Sequence, residues 1–448
     1  MLKTYQKYKS TDVVWVKEIP EEWNFRKLKF VFQYVVDNRG KTPPISESGI
    51  PLLEIKHISG KKVPSYNTDK FVSEDVYKSW FRGHIKKNDI LIGTVGSTGE
   101  TCIYDESQRA CIAQNIVGLR AGSDNPMYLY FILSSYHFQK YISASNKNVI
   151  QPTLKVSDFI QNKVYLPNSS TQTKIALYLD YKTSLIDNLI KNNEKLIKLF
   201  EEQKSVITNN AVTKGLNNGA DMKNSGIEWL GMVPEKWRIL KLKFIGKSII
   251  GITYSPDNVV DEGNGTLVLR SSNIQKGVLS LKDNVYINKK IPETLKTKTG
   301  DILICSRNGS SSLIGKNIVI TGEIIGSTFG AFMTVFRSEY WKFLSKFFNS
   351  QVFKSQSGLF SSSTINQLTI NTLNNLFIAL PPTLEEQEEI ATHLDKELKP
   401  IENLIQKTKK QNYFLTEYRK TLISNIVTGK IDVRDEKIPE SGIKYNYV

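Results

Sequence analysis

Cysteine and histidine are scarce in these 448 residues: Cys102, Cys111 and Cys305, and His57, His84, His137 and His393. No two cysteines form a CxxC pair and the histidines are scattered, so neither a disulfide framework nor a zinc site is expected, and a reducing compartment fits best. No apolar run approaches the length that spans a bilayer, and the N-terminus MLKTYQKYKS lacks the apolar core of a secretory signal. The expectation is a cytoplasmic protein without a membrane partner. Acidic residues are outnumbered, 44 Asp and Glu against 60 Lys and Arg, for a formal charge of +16. That excess favours a polyanionic partner, above all nucleic acid, although a lysine-rich proteome would produce it too. Hydrophobic residues at 40% and aromatics at 10% are ample for collapse, and the length suits two or three domains.

What the chain does have is a second copy of itself. IPEEWNFRKLKF at Ile19 to Phe30 returns as VPEKWRILKLKF at Val233 to Phe244, and Trp23 and Trp237 stand 214 residues apart. KKNDILIGTVGS from Lys86 answers KTGDILICSRNG from Lys298, TLKVSDFIQNKVYLP from Thr153 answers QLTINTLNNLFIALP from Gln367, and AVTKG at Ala211 answers IVTGK at Ile426. An offset this steady means tandem duplication of a whole unit. SGIKY at Ser441 begins a third copy of SGIEW at Ser225, which implies a ring-like arrangement with the termini close together.

Each unit reads as short strands broken by Gly, Asn and Ser turns, with short helices near MYLYFILSSYHFQKYI and WKFLSKFFNSQVFKSQ, followed by one long helix. Ser169 with Gln172, and Thr383 with Glu386, fit a capping box at each long-helix start, and Gly215 and Gly429 fit glycine stops. A heptad seam is predicted through Ile175, Leu179, Ile186, Leu189, Leu196, Phe200 and Ile207, and through Ile390, Leu394, Ile401, Leu404, Leu415, Tyr418 and Leu422. Lys182, Asn193, Gln203, Glu397, Thr408 and Gln411 interrupt it, and Pro400 should kink or divide the second helix. Leu185, Ile190, Ile197, Leu199, Ile405, Phe414 and Ile426 widen the stripe beyond what two helices cover, so either a partner chain or the adjoining domains must cover the rest. The helices either pair as an antiparallel coiled coil or pack on their own domains; their length favours the pair.

No catalytic centre is legible. GTVGSTGE from Gly93 lacks both the P-loop ending and the dinucleotide fingerprint. Asp37, Glu54 and Lys56 loosely imitate a nuclease triad, but aligning Gly49 with Gly265 places Arg270 and Ser272 opposite Glu54 and Lys56, where no metal could be held. The Pro-Pro pairs lack the flanking residues of a DNA amino-methyltransferase.

Taken together, SGIEWLGMVPEKW, its partner VVWVKEIPEEW, the helix start LPPTLEEQEEIATHLD and the helix ends AVTKG and IVTGK resemble the specificity subunit of type I restriction-modification systems over essentially the whole chain. Thr171 departs from the pattern, where a Glu is usual, and the N-terminal copy lacks the SGI before its tryptophan. The resemblance implies an α+β chain of two mixed α/β target-recognition domains, residues 1–168 and 217–382, separated by two conserved helices, 169–216 and 383–430, that pair antiparallel about a pseudo-two-fold axis. A tail, 431–448, would pack near the N-terminal region. It further implies a non-catalytic, DNA-binding subunit in which each domain reads half of a bipartite, asymmetric double-stranded DNA target. Two modification subunits using S-adenosylmethionine would dock on the helices, and two restriction subunits using ATP and Mg would complete the complex; this chain would bind no cofactor itself. The competing reading is a duplicated coiled-coil scaffold for other proteins, without sequence-specific DNA binding.

Base-reading side chains are expected among polar and basic loop residues. In the first domain these are Arg39, Lys41, Lys56, His57, Lys61, Thr94, Ser97, Thr98, Lys147, Asn148 and Gln151. In the second they are Tyr254, Arg270, Ser272, Asn273, Lys276, Arg307, Asn308, Ser310, Ser311, Thr364 and Asn366.

Overall fold

A computed structural model describes residues 3–145, 153–275, 277–310, 313–358 and 367–439. The chain forms two compact units, Met1–Asn193 with Lys410–Val448, and Glu194–Lys409. Each combines one globular domain with half of each long helix.

Eight strands organise the first domain: β1 (Asn24–Lys27), β2 (Phe32–Val36), β3 (Ile50–Leu53), β4 (Ile90–Gly93), β5 (Thr101–Ile103), β6 (Cys111–Ile112), β7 (Ile116–Ala121) and β8 (Lys163–Leu166). Eight counterparts organise the second: β9 (Arg238–Lys241), β10 (Lys247–Ile250), β11 (Thr266–Leu269), β12 (Ile302–Cys305), β13 (Asn317–Val319), β14 (Thr328–Phe329), β15 (Met333–Arg337) and β16 (Phe377–Leu380). The antiparallel sheet runs β2-β7-β4-β5 in one domain and β10-β15-β12-β13 in the other. β1 pairs with β8, and β9 with β16, as separate ribbons. β3 lies parallel to β6 with Leu52 against Cys111, and β11 parallel to β14 with Val268 against Thr328. The duplication therefore extends to strand order and register.

The central strands β4 and β12 are apolar throughout because both faces are covered. Ile90 and Ile92 enter one core, which includes Phe131 and Phe138, while Leu91 enters another with Val36 and Leu53. Ile302 and Ile304, against Leu303 and Cys305, divide in the same way. This is the two-residue alternation of a strand buried on both sides. Immediately before each central strand lies a buried ion pair. Asp89 holds Arg120 at 2.7 Å and Asp301 holds Arg337 at 2.6 Å, with both aspartates almost fully buried. Each arginine also donates to a backbone carbonyl, of His84 or Lys296, at 3.0 Å. Breaking such a pair typically costs about 3–5 kcal/mol, since it strands a buried charge.

The long helices are α1 (Ser169–Lys214) and α2 (Leu384–Val427). α1 is capped by Asn168, whose side chain accepts from Thr171 N at 2.9 Å, so the expected Ser169 box is replaced. Gln172 is instead buried, donating to the Pro167 carbonyl and to Asp124 and accepting from Asn125 N. Thr383 does cap α2, accepting from Glu386 N at 3.2 Å. Pro400 does not divide α2: it lies on an exposed face, where water can satisfy the carbonyl that loses its helical partner.

Within each unit the two helices run antiparallel. In the first, Asp187 meets Arg419 and Asn193 donates to Asn412 at 2.8 Å; in the second, Lys204 meets Glu402 and Glu201 meets Lys409. The seam differs in its middle from the expected one. Leu189, Leu196, Leu404 and Tyr418 are 40–54% exposed, and Phe200 and Ile207 only half-buried, whereas Asn193 and Thr408 are each 8% exposed. The inward row of α2 is Ile390, Leu394, Leu398, Ile401, Ile405, Thr408, Asn412, Leu415, Arg419, Leu422 and Ile426, an unbroken helical repeat of threes and fours. Ile186, Ile190, Asn193, Ile197 and Phe200 answer it on α1. Polar side chains with partners across the seam can point inward, so hydrophobicity alone finds the ends of the stripe, where Ile175, Leu179, Ile186, Ile390, Leu394, Ile401 and Leu422 are buried, and misplaces its middle.

The first and last described segments meet in the first unit. Lys3 bridges Asp432 in backbone pairing, the Tyr8 hydroxyl donates to the Gly429 carbonyl at 2.9 Å, and Arg434 lies over the Tyr5 ring. Trp23 and Trp237, the marks of the repeat, are both buried, beside the glycines Gly429 and Gly215 that end α2 and α1.

Candidate nucleic-acid interface

In both domains the same backbone frame presents the loops. Past β4, Thr94 N donates to the Asn115 carbonyl and Val95 bridges Thr153; past β12, Ser306 N and Arg307 N donate to the Phe332 carbonyl and Arg307 bridges Gln367. After β3 the Glu54 N–H donates to His57 Nδ1 at 2.8 Å, and after β11 the Arg270 N–H donates to Asn273 Oδ1 at 2.8 Å. These hydrogen bonds pair Arg270 with Glu54, Arg307 with Val95, and Phe332 with Asn115. The backbone is held alike while charge and ring content are exchanged.

In the second unit these loops enclose an open groove of about 1010 Å³, lined by Tyr254, Arg270, Ser272, Arg307, Asn308 and Phe332 among others. Five of the six were expected from sequence as DNA contacts; Phe332 was not. Arg270 is engaged: its guanidinium meets the Asp283 carboxylate at 2.9 Å and donates to that residue's carbonyl. Asn308 is fastened by donating to the Ser271 hydroxyl at 3.0 Å, and its Oδ1 accepts from Ser310 N. The exposed Arg307 guanidinium sits 5.1 Å over the ring of Phe332, itself 59% exposed. Ring and guanidinium therefore form one projecting, cationic plane.

The first domain offers a different surface. Arg39 pairs with Asp37, whose carboxyl is held below its ordinary value by the hydrogen-bonded guanidinium. Lys41 lies 5.9 Å over the Trp80 ring, another aromatic missed from sequence. Lys56 bonds Asp69 at 3.2 Å and Lys61 reaches the Lys56 carbonyl. Burial would raise the Glu54 carboxyl, but Lys70 at 2.6 Å and Lys56 bring it below its ordinary value; ion pairs thus occupy all three groups that imitate a nuclease triad. Ser97 is exposed and Thr98 half-exposed.

Three expected contacts are corrected. His57 is 3% exposed, Asn273 and Thr94 are fully buried, and His57 and Asn273 serve as matching caps after β3 and β11. They shape loops and are closed to a base edge. Burial lowers the His57 pKa, and its Nε2 has no hydrogen-bond partner among the described residues. Lys147, Asn148, Gln151, Lys276, Ser311, Thr364 and Asn366 lie outside the described residues. Among the described residues no three His, Cys, Asp or Glu side chains are grouped to hold a metal. Cys102, Cys111 and Cys305 are free and buried, and burial raises the Cys111 thiol to about 12. No helix of the described residues is long and apolar enough to cross a membrane.

A duplicated α+β frame, two long antiparallel helices and differing polar loops on equivalent edges define a class of paired recognition modules. The family model for the type I restriction modification DNA specificity domain matches residues 20–199. The MjaX specificity subunit of Methanocaldococcus jannaschii is 26% identical over 446 residues, 96% of this chain and 97% of that one. The type I restriction enzyme MjaVIII specificity subunit of the same organism is 26% identical over 442 residues, 93% and 95% of the two chains. A solved structure described as the structural basis of complex assembly and conformational transition of the type I R-M system shares the fold, with TM-score 0.67 at 16% identity, covering 92% of this chain and 99% of that one. The chain is thus similar to type I restriction enzyme specificity subunits, through the family model over residues 20–199 and through the relatives over nearly its whole length.

Proposed function

We propose that each globular domain reads one half of a bipartite, asymmetric double-stranded DNA target, and that α1 and α2 set the distance between the halves. The observation that carries this reading is the exchange of chemistry on one frame: Arg270, Arg307 and Phe332 stand where the first domain has Glu54, Val95 and Asn115. A symmetric frame bearing unlike loops recognises unlike half-sites. Two modification subunits dock on the helices, whose exposed Leu196, Leu199, Leu404 and Phe414 offer apolar contact. S-adenosylmethionine belongs to those subunits, ATP and Mg to two restriction subunits, and this chain directs chemistry that it does not perform.

The test is to map methylated adenines in a host genome with the modification subunits present, with and without this chain. A single two-part motif that appears only with the chain is expected. Methylation independent of the chain, or scattered without a motif, refutes the reading. DNA binding indifferent to salt would favour a scaffold for proteins instead.

A further inference from the structure

The geometry points to Arg307 as the residue through which the second domain reads a guanine, in the major groove, at one position of its half-site. This rests on the reading of the chain as a two-domain DNA reader and adds the base, the residue and the side of the target.

Four observations converge on Arg307. Its main chain is fixed: Arg307 N donates to the Phe332 carbonyl at 3.1 Å, its carbonyl accepts from Cys305 Sγ at 3.6 Å, and it bridges Gln367. Its guanidinium lies over Phe332, and no carboxylate is paired with it among the described residues. Both side chains line the groove yet stay open to solvent, so they form its lip. The same place in the first domain holds Val95, whose side chain can donate nothing, so the frame is built there without a guanidinium.

The chemistry then selects the ligand. Guanine O6 and N7 are adjacent acceptors in the major groove, and the planar fork of an arginine meets both at once. A phosphate can also take the fork bidentately, but it would accept a flexible cation equally, whereas the ring of Phe332 holds this guanidinium as a plane at the lip, which suits a base edge of fixed orientation. Arg270, although in the same groove, is committed to Asp283 and lacks a free fork. The groove of about 1010 Å³ lies beneath that lip.

The test uses the chain assembled with its modification subunits and the target from methylation mapping. Each guanine of the second half-site is replaced in turn by 7-deazaguanine, which keeps Watson–Crick pairing but loses the N7 acceptor. The expected result is a loss of affinity on the order of ten- to one-hundred-fold at one guanine. R307A should bind the natural and substituted duplexes equally and leave the first half-site unaffected, and F332A should show a smaller loss at the same guanine. Insensitivity to every substitution, a second half-site without guanine, or an R307A complex that still discriminates at that guanine would each overturn the assignment. So would a uniform weakening across all sequences with a shallower salt dependence, the mark of a phosphate contact. A wild-type complex that fails to prefer its mapped target over a scrambled duplex would instead overturn the two-domain reading itself.

Discussion

The two glycines that end the long helices provide a matched experiment. Gly215 and Gly429 share φ +71, a left-handed conformation that costs any residue bearing a Cβ about 1–2 kcal/mol. Their surroundings differ. A Cβ on Gly215 would lie 3.1 Å from the Trp237 ring, a contact that a shift of a few tenths of an ångström relieves. A Cβ on Gly429 would lie 2.3 Å and 2.4 Å from Cδ and Cγ of Pro20, a ring that cannot rotate away, and 3.4 Å from Trp23. Overpacking of that kind adds about 1–3 kcal/mol. Gly215→Ala should therefore cost roughly 1–2 kcal/mol and Gly429→Ala roughly 2–5 kcal/mol. Denaturant unfolding of the purified chain, comparing midpoints at constant slope, reads the difference. Equal losses would show that the proline contact yields freely and that conformation alone matters; a larger loss at Gly215 would refute the reasoning altogether.

Other predictions follow from comparing the copies. Trp237 Nε1 donates to Glu386 at 2.8 Å, so Glu386→Thr, which installs the residue that the first copy has as Thr171, should cost about 1–3 kcal/mol by stranding a buried donor, and Glu386→Gln should restore most of it; no loss on unfolding would refute this. Burial holds the His57 pKa below its ordinary 6.5, so the neutral form is favoured on folding. Its contribution is then complete above about pH 6.5 and is lost as pH falls, because the unfolded chain takes the proton first. His57→Asn, the residue used at Asn273, should lose less stability than wild type between pH 7.5 and 5.5, and identical pH profiles would contradict the assignment. On the proposed function, inserting one turn of four residues, about 6 Å, in one helix should lengthen the preferred spacer by one or two base pairs with both half-sites unchanged. Methylation mapping reads this, and an unchanged spacer would show that the helices do not set the distance.

Much of the fold was legible because the chain states it twice. The steady offset exposed the duplicated frame, and apolar runs such as ILIG and ILIC marked strands covered on both faces. Glycine stops marked the helix ends. These are local signals, carried by neighbours in the chain.

The seam and the site were less so, for one physical reason. Whether a polar side chain is a fault or a partner depends on what stands opposite, and that lies far away in sequence. Asn193 and Thr408 looked like interruptions, yet Asn193 meets Asn412 and both lie inside, while Leu189 and Leu196 face water. His57 and Asn273 looked like loop donors, yet both turn inward to cap the residue three positions before. Arg307 and Arg270 looked equivalent until Asp283 claimed one and Phe332 supported the other. The sequence by itself determined that there are two copies, where their helices run, and that their loops differ. Only the tertiary structure decided which polar groups are spent on each other and which stay available to a ligand, because hydrogen bonds and ion pairs are settled by distance in space.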